Sequence, residues 1–236
     1  MTRIIKIGQI GIGHNHGEAK MRSVCKLNDL FEVTGYAEED EKWIAQRGGS
    51  EVYRKLRRLS VAELLEQSDA VLVETDVPRL TEYAKLCADA GKHIHMDKPA
   101  SGSLNDFKEL IDAAREKKLV LQLGYMYRYN PAVQKAMQLA KSGSLGRILS
   151  VDAQMSTFHA KWYKEWLSRF DGGSMYIFGS HLVDIVVSLL GEPDTVASFF
   201  RCTDTDGISF PDNTLAVLGY GAALARIYVS SVEVNG

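Results

Sequence analysis

The chain has 236 residues, of which 45% are hydrophobic and 25% charged, and its formal net charge is -2 at pH 7. This composition excludes a largely disordered chain, and the balanced charge argues against nucleic-acid binding by phosphate neutralisation. No apolar run is long enough for a membrane helix, and the start does not resemble a signal peptide, so no membrane partner is expected. Three widely spaced cysteines predict no disulfide framework and favour a reducing cytoplasmic location.

The first half of the chain alternates strand-like and helix-like patterns. Helices are predicted after the first glycine-rich turn, from a capping box at Ser60 and Glu63, and along two apolar stripes at 80–87 and 104–114. Strands are predicted at 4–10, 32–37, 70–73, 93–96 and 120–123. This alternation predicts an α/β fold, with a Rossmann-type, doubly wound parallel sheet in a dinucleotide-binding domain over residues 1–124.

The rhythm changes after Gly124. Helices are predicted near 131–141 and 174–190, and strand-like runs at 148–158, 195–201, 214–220 and 223–234. Few helical patterns separate the last three runs. Residues 125–236 are therefore predicted to form an α+β domain with an open, mostly antiparallel sheet.

The segment GQIGIGHNHG, residues 8–17, follows the first predicted strand and precedes a helix. In a dinucleotide-binding loop the first glycine makes the tight turn, the second lets the backbone approach the pyrophosphate, and helix amides bind the anion. The third glycine position holds His16, with Gly17 one residue late, and a plain strand-to-helix turn is the structural alternative. The predicted cofactor-binding residues are Gly11, Ile12, Gly13, His14, Asn15 and His16.

Glu38 stands at the end of the second predicted strand, 25 positions after Gly13. A carboxylate there would bind the adenosine ribose hydroxyls and repel a 2′-phosphate. NAD is therefore the expected cofactor, with NADP not excluded. An acidic surface turn formed with Glu39 and Asp40 would look the same in the sequence.

Two H-x-H pairs, at 93–95 and in the glycine-rich loop at 14–16, raise the question of a metal site. Neither pair has an acidic or thiolate partner at a spacing typical of zinc ligands. No metal is predicted.

Three motifs follow one another along the chain: GKHIHMDKPAS at 91–101, GYMYRYNPA at 124–132 and DGGSMYIFGSHLVDIVVSLLG at 171–191. With them the chain resembles the glucose-fructose oxidoreductase / inositol dehydrogenase / MocA family of nicotinamide-dependent oxidoreductases over essentially its whole length. The resemblance implies hydride transfer between NAD(P) and a secondary hydroxyl or carbonyl of a sugar, cyclitol or related small polyol. It also implies that residues 125–236 bind substrate and form a homo-oligomer through their sheet.

The resemblance assigns roles by position. Lys98 is expected near the nicotinamide, bonded to the reacting oxygen, and His181 is expected to take and return the hydroxyl proton. The structural alternatives are a surface lysine and a buried core histidine. Pro99, with a cis bond as in relatives, and Thr75 join the cofactor-binding set. The expected substrate-binding residues are Asp97, Tyr127, Arg128 and Asp184.

Ile177 is the main departure from the family pattern, because relatives place an aspartate there, four residues before the histidine. An isoleucine cannot accept a hydrogen bond from a base and so cannot orient it. The expected proton relay is therefore reduced to Lys98 and His181, with Asp184 as a candidate substitute acid. Two alternatives therefore stay open: a sensor-like NAD-binding protein without catalysis, and a cofactor-retaining lyase or glycosidase-type member. The chain is also shorter than its relatives, which predicts a shortened or truncated second domain.

Overall fold

A computed structural model describes residues 3–100 and 102–233. The chain divides into two compact units, Met1–Gly124 and Tyr125–Gly236. Among the described residues, none of the helices combines the length and apolar character needed to cross a bilayer.

Five strands form the sheet of the first unit: β1 (Ile5–Ile10), β2 (Phe31–Ala37), β3 (Ala70–Val73), β4 (His93–Met96) and β5 (Leu121–Leu123). All pair in parallel in the order β2–β1–β3–β4–β5, which confirms the predicted doubly wound sheet. Because β2 lies on one side of β1 and β3 on the other, the connections reverse direction at this point. In such sheets the ligand crevice lies beyond the carboxyl ends of the strands at this reversal.

The helices of the first unit are α1 (Gly17–Lys26), α2 (Glu41–Trp43), α3 (Val61–Gln67), α4 (Leu80–Asp89) and α5 (Leu104–Glu116). Apolar side chains cover both faces of the sheet, since successive residues of a strand point to opposite faces. On β3, Val71 and Val73 belong to one core cluster and Leu72 to the other. The predicted capping box at Ser60 and Glu63 is present at the start of α3.

The second unit contains the helices α6 (Pro131–Lys141), α7 (Lys161–Leu167) and α8 (Ser180–Leu190) and the strands β6 (Ser150–Ser156), β7 (Thr195–Arg201), β8 (Asn213–Tyr220) and β9 (Ala223–Ser230). The strand order is β6–β9–β8–β7, with β6 and β9 parallel and the other pairs antiparallel. The predicted open, mostly antiparallel sheet is confirmed. Leu182 and Val186 of α8 pack against Ile227 and Val229 on one face of this sheet.

The helix predicted at 174–190 differs from the observed one. Residues 175–179 form a π-helical turn, and α8 begins only at Ser180. A π turn follows an i to i+5 pattern, so the four-residue spacing assumed between Ile177 and His181 does not have ordinary α-helical geometry.

The last strand is shorter than predicted. β9 ends at Ser230, and the backbone N–H of Ser231 instead donates to the carbonyl of Asp212. Val234, the last residue of the predicted run, lies outside the described residues. The sequence patterns also gave no sign of α2, the π-helical turn at 44–48 or α7.

Candidate active site

Gly11 makes the turn that ends β1, where only glycine fits. Its φ is +83°, and a Cβ at this position would lie 2.5 Å from the backbone N and Cα of Thr75. Thr75 is itself buried, two residues after the end of β3. The loop and the end of β3 are therefore in close backbone contact at the point where β1 and β3 lie side by side.

Gly13 and Gly17 are also crowded. A Cβ on Gly13 would lie 2.7 Å from the indole nitrogen of Trp43. At Gly17, the first residue of α1, a Cβ would lie 3.1 Å from both Gln9 and Glu74. Gly17 thus provides the close helix-to-strand packing that the standard pattern assigns to a glycine one residue earlier.

Arg47 holds the loop from the side. Its Nη1 donates to the carbonyl oxygens of Ile12 and His14, at 3.1 and 2.6 Å, and its Nη2 donates to Asn15 Oδ1 at 2.9 Å. The guanidinium carbon also lies 4.8 Å from the ring centroid of Trp43. A fixed positive charge beside a dinucleotide-binding loop favours binding of the pyrophosphate.

Glu38 lies at the mouth of the same crevice. One carboxylate oxygen accepts from the backbone N–H of Ile12 at 2.8 Å, and the other accepts from the N–H groups of Glu39 and Asp40. A cleft opens beside it, lined by acidic, aliphatic and aromatic side chains and by Arg79. Its lining includes Ile10, Gly11, Glu38, Glu39, Asp40, Trp43, Val61, Thr75 and Tyr83. The apolar side chains suit contact with the adenine ring of an adenosine, and the carboxylates suit hydrogen bonds with its ribose hydroxyls.

Lys98 follows Asp97 at the carboxyl end of β4, and the bond from Lys98 to Pro99 is cis. Lys98 is only 5% exposed, so it is not the surface lysine of the structural alternative. Burial lowers the pKa of Lys98 to about 8; the nearby charge of Lys20 works in the same direction and that of Asp97 opposes it. Near neutral pH such a group can exchange a proton readily.

Asp97 is fully buried and accepts hydrogen bonds on both oxygens. Oδ1 accepts from the Lys98 backbone N–H at 2.6 Å, and Oδ2 lies 2.6 Å from Lys20 Nζ, 3.0 Å from His14 Nδ1 and 2.9 Å from His16 Nδ1. Burial works to raise the pKa of Asp97, but the hydrogen bonds from the two histidines and the charge of Lys20 outweigh it and lower the pKa. The structure thus places Asp97 behind Lys98 as an anionic support.

His14 and His16, the H-x-H pair of the glycine-rich loop, and Asp97 supply ligand types that suit a metal ion. Their candidate ligand atoms lie within 4.8 Å of one another. However, the ammonium of Lys20 lies 2.6 Å from the same Asp97 oxygen. A divalent cation bound there would meet this positive charge at close range. The contacts therefore describe a hydrogen-bonded charge network better than a metal centre. In the other H-x-H pair, at 93–95, His93 Nδ1 accepts a hydrogen bond from the Val120 N–H, and His95 Nδ1 is hydrogen-bonded to Gln122 Oε1.

His181, in the second unit, is 5% exposed and lies between two tyrosines. Its ring centroid is 5.7 Å from that of Tyr125 and 5.3 Å from that of Tyr127, with both pairs edge to face. Such contacts fix the plane of the imidazole. Ile177 is buried in the π turn before it.

Arg128 and Asp184 form a bidentate ion pair in the second unit. Arg128 Nε lies 2.8 Å from Asp184 Oδ2, and Nη2 lies 2.5 Å from Oδ1. The Asp184 side chain is 8% exposed and that of Arg128 is 56% exposed. Asp184 therefore orients a partly exposed guanidinium, and the hydrogen bonds raise the pKa of Arg128.

Sequence reasoning missed four residues of the first unit: Trp43 and Arg47, which shape the loop, and Lys20 and Glu74, which join the charge network. The sequence did mark Glu74, because an acid stands directly after the apolar run AVLV at the end of a predicted strand. The structure shows that this side chain is fully buried. Lys20 Nζ lies 2.7 Å from Glu74 Oε1. Arg47 sits in a π-helical turn that no pattern predicted.

Two family models match the chain. The model described as "Oxidoreductase family, NAD-binding Rossmann fold" matches residues 5–125, and the "GFO/IDH/MocA C-terminal domain" matches residues 133–236. The first match covers half of the chain, including the glycine loop and Lys98. The first unit is thereby an NAD-binding domain.

The similar proteins include dehydrogenases and other oxidoreductases. Dehydrogenase aclE of Aspergillus oryzae is 28% identical over 210 residues, which are 83% of this chain and 57% of that protein. The scyllo-inositol 2-dehydrogenase (NADP(+)) of Bacillus subtilis is 25% identical over 240 residues, 98% of this chain and 64% of that protein. The chain therefore spans less than two thirds of the length of these relatives.

The fold also matches solved structures. The WlbA dehydrogenase from Bordetella pertussis, solved with NADH and UDP-GlcNAcA, superposes with a TM-score of 0.86 at 22% identity, over 99% of this chain and 69% of that one. At this level of identity the similarity shows a shared fold.

Proposed function

The chain belongs to the GFO/IDH/MocA oxidoreductase family, and on that premise we propose that it transfers a hydride between NAD and a secondary hydroxyl or carbonyl of a small polyol, sugar or cyclitol. The observation that carries the proposal is Lys98, a buried lysine at the carboxyl end of β4 with a pKa lowered to about 8. A lysine so tuned can donate a hydrogen bond to the reacting oxygen and stabilise the charge that develops on it.

The crowded glycines support the binding of NAD. Side chains are excluded at Gly11 and Gly13, so the loop backbone can approach a pyrophosphate, and Arg47 adds positive charge. When bound, NAD supplies the carbon that accepts or gives the hydride. Glu38 and the neighbouring acids favour NAD over NADP, because they would repel a 2′-phosphate.

A polyol substrate is supported by the second unit and by one relative. The partly exposed Arg128 guanidinium, oriented by Asp184, offers donors that suit hydroxyl oxygens. The scyllo-inositol dehydrogenase of Bacillus subtilis, whose substrate is a cyclitol, is similar over 98% of this chain. We propose His181 as the group that takes the hydroxyl proton, its ring oriented by Tyr125 and Tyr127.

One observation favours a second candidate function. Ile177 is buried close before His181, where an acid would support the base, and an apolar side chain cannot accept a hydrogen bond. A protein that binds NAD without turnover would also fit this arrangement. Both candidate functions require NAD binding, but only the first requires turnover of a substrate.

The test is a calorimetric titration with NAD, followed by absorbance of the reduced cofactor with a panel of polyols that includes scyllo-inositol. We expect NAD binding in wild type and in Lys98→Met, and turnover that falls about 100-fold or more in Lys98→Met, in line with the usual loss of an acid–base group. Lys108→Met, at an exposed position of α5, is the matched control. Binding without turnover on any panel member would favour the second candidate, and full activity in Lys98→Met would refute the role of Lys98.

We also propose that the protein is a cytoplasmic homo-oligomer that associates through the outer face of its second sheet. The edge strand β7 is exposed along its whole length, and Phe199, which pairs with Leu215 of β8, is 56% exposed. Cys25, Cys87 and Cys202 are free thiols, as a reducing compartment would keep them.

A further inference from the structure

Lys20 reaches from α1 into the space between the ends of β3 and β4. Its Nζ lies 2.7 Å from Glu74 Oε1 and 2.6 Å from Asp97 Oδ2, so one ammonium bridges two carboxyl groups. Glu74 and Asp97 are both fully buried, and the Lys20 side chain is 23% exposed. An ammonium that holds two such partners has little freedom to move.

The bridge continues to Lys98 through the backbone. Asp97 contacts Lys20 with Oδ2, while its Oδ1 accepts the backbone N–H of Lys98 at 2.6 Å. Any displacement of the Asp97 carboxylate would therefore change the hydrogen bond that holds the backbone N–H of Lys98. Gly124 closes this space from β5, since a Cβ there would lie 2.9 Å from Asp97 Oδ1 and 3.2 Å from Lys20 Nζ.

From this geometry we propose that Lys20, anchored by Glu74, is a positioning residue for Lys98: it holds Asp97 in place and sets the local charge that Lys98 experiences. Nothing in the family assignment requires this pair. The inference rests on the proposed function only in treating Lys98 as the reacting lysine.

The electrostatic consequence follows from the sign of each neighbour. The charge of Lys20 lowers the pKa of Lys98, as burial does, whereas Asp97 raises it. Burial raises the pKa of Glu74 to about 8, so Glu74 gains its negative charge in the pH range where Lys98 loses its positive charge. The titratable groups around this space include, from the loop and α1, His14, His16 and Lys20; from the end of β3, Glu74; from β4, His95 and Asp97; and Tyr53, which interacts with Glu74.

A titration of Lys98 that needs neither cofactor nor substrate tests the inference. The full chain is labelled with 13C-lysine, and the Cε chemical shift of each lysine is followed from pH 6 to pH 11. The Lys98 signal is identified by its absence in Lys98→Met. We expect its midpoint to move to higher pH in Lys20→Met, by roughly 0.5 pH unit or more, because a positive neighbour is lost.

Two controls separate charge from general damage. Lys20→Arg keeps the positive charge and should leave the midpoint close to wild type, and Lys26→Met removes an exposed lysine from the same helix and should have no effect. An unchanged midpoint in Lys20→Met, or a shift to lower pH, overturns the proposal. Should Lys20→Met fail to fold, Lys20→Gln decides, because its amide keeps a hydrogen-bond donor but removes the positive charge: a higher midpoint supports the proposal and an unchanged one refutes it. Because no turnover is measured, failure here is distinct from failure of the proposed dehydrogenase activity.

Discussion

At the scale of single residues, Glu74 has a direct effect on stability. It is fully buried, and burial raises its pKa from the ordinary 4.5 to about 8, with the Asp97 carboxylate adding to the rise and Lys20 opposing it. The folded protein therefore holds the Glu74 proton more tightly than the unfolded chain does. This contribution to stability is full below about pH 4.5 and is lost as the pH rises through about 8.

We predict that Glu74→Gln removes this pH dependence. The amide is neutral at all pH values and can still accept a hydrogen bond from Lys20. Between pH 5 and pH 8 the free energy of unfolding of wild type should fall, relative to that of Glu74→Gln, by on the order of 1–3 kcal/mol. Urea unfolding at the two pH values measures this difference.

The comparison cancels the titration of groups that lie away from Glu74. His159, whose pKa is lowered chiefly by burial, is present in both proteins and changes both stabilities in the same direction. Glu66→Gln, an exposed position on α3, is a matched control that should follow wild type. Parallel pH dependences in wild type and Glu74→Gln would contradict the prediction.

Lys98, Asp97 and the glycine loop could be predicted from the sequence because each belongs to a short motif of consecutive residues. It could not indicate the bridge from Lys20 to Glu74, since these residues are 54 positions apart and meet only when α1 packs beside β3. Arg47 and its carbonyl contacts were missed for the same reason. Long-range polar pairs follow from topology, and no periodicity encodes them.

At the scale of elements, local signals were the reliable ones. The Ser60 hydroxyl accepts from the Glu63 N–H at 3.2 Å, and the Glu63 carboxylate accepts from the Ser60 N–H at 2.9 Å, as the three-residue spacing predicts. The π turn at 175–179 gave no such signal, because its apolar residues fit an ordinary helix equally well. Met175 and Phe178 of this turn pack in the same apolar cluster as Leu182 and Ile227.

The capping box supports a second prediction. Ser60→Ala should destabilise the protein by about 1 kcal/mol, because it leaves the Glu63 N–H without its side-chain acceptor at the start of α3. Ser60→Asp, which supplies another good cap, should restore most of the loss. Chemical unfolding of the three proteins measures the differences. Equal stability of Ser60→Ala and wild type would show that the first turn of α3 does not need the cap.

At the scale of the whole molecule, the outer face of the second sheet is the feature to explain. Inward residues of β8 such as Leu218 contact the α8 side, so alternation places Leu215 and Val217 on the outer face. Leu215 pairs with Phe199 on β7 and with Tyr228 on β9, which forms an apolar row across three strands. An apolar row beside an exposed edge strand is typical of a surface that binds another chain.

We predict that wild type is an oligomer at micromolar concentration and that Phe199→Asp makes it a monomer. A charge at the β7 end of this row would have to be buried unpaired when two copies associate, which opposes association strongly. Leu145→Asp changes a residue of similar exposure, 59% against 56%, in the loop between α6 and β6, and should leave the oligomer intact. Light scattering after size exclusion gives the masses. A monomeric wild type, or an equal mass for Phe199→Asp and wild type, would rule out this face as the interface, and dissociation in both variants would show that the effect of Phe199 is not specific.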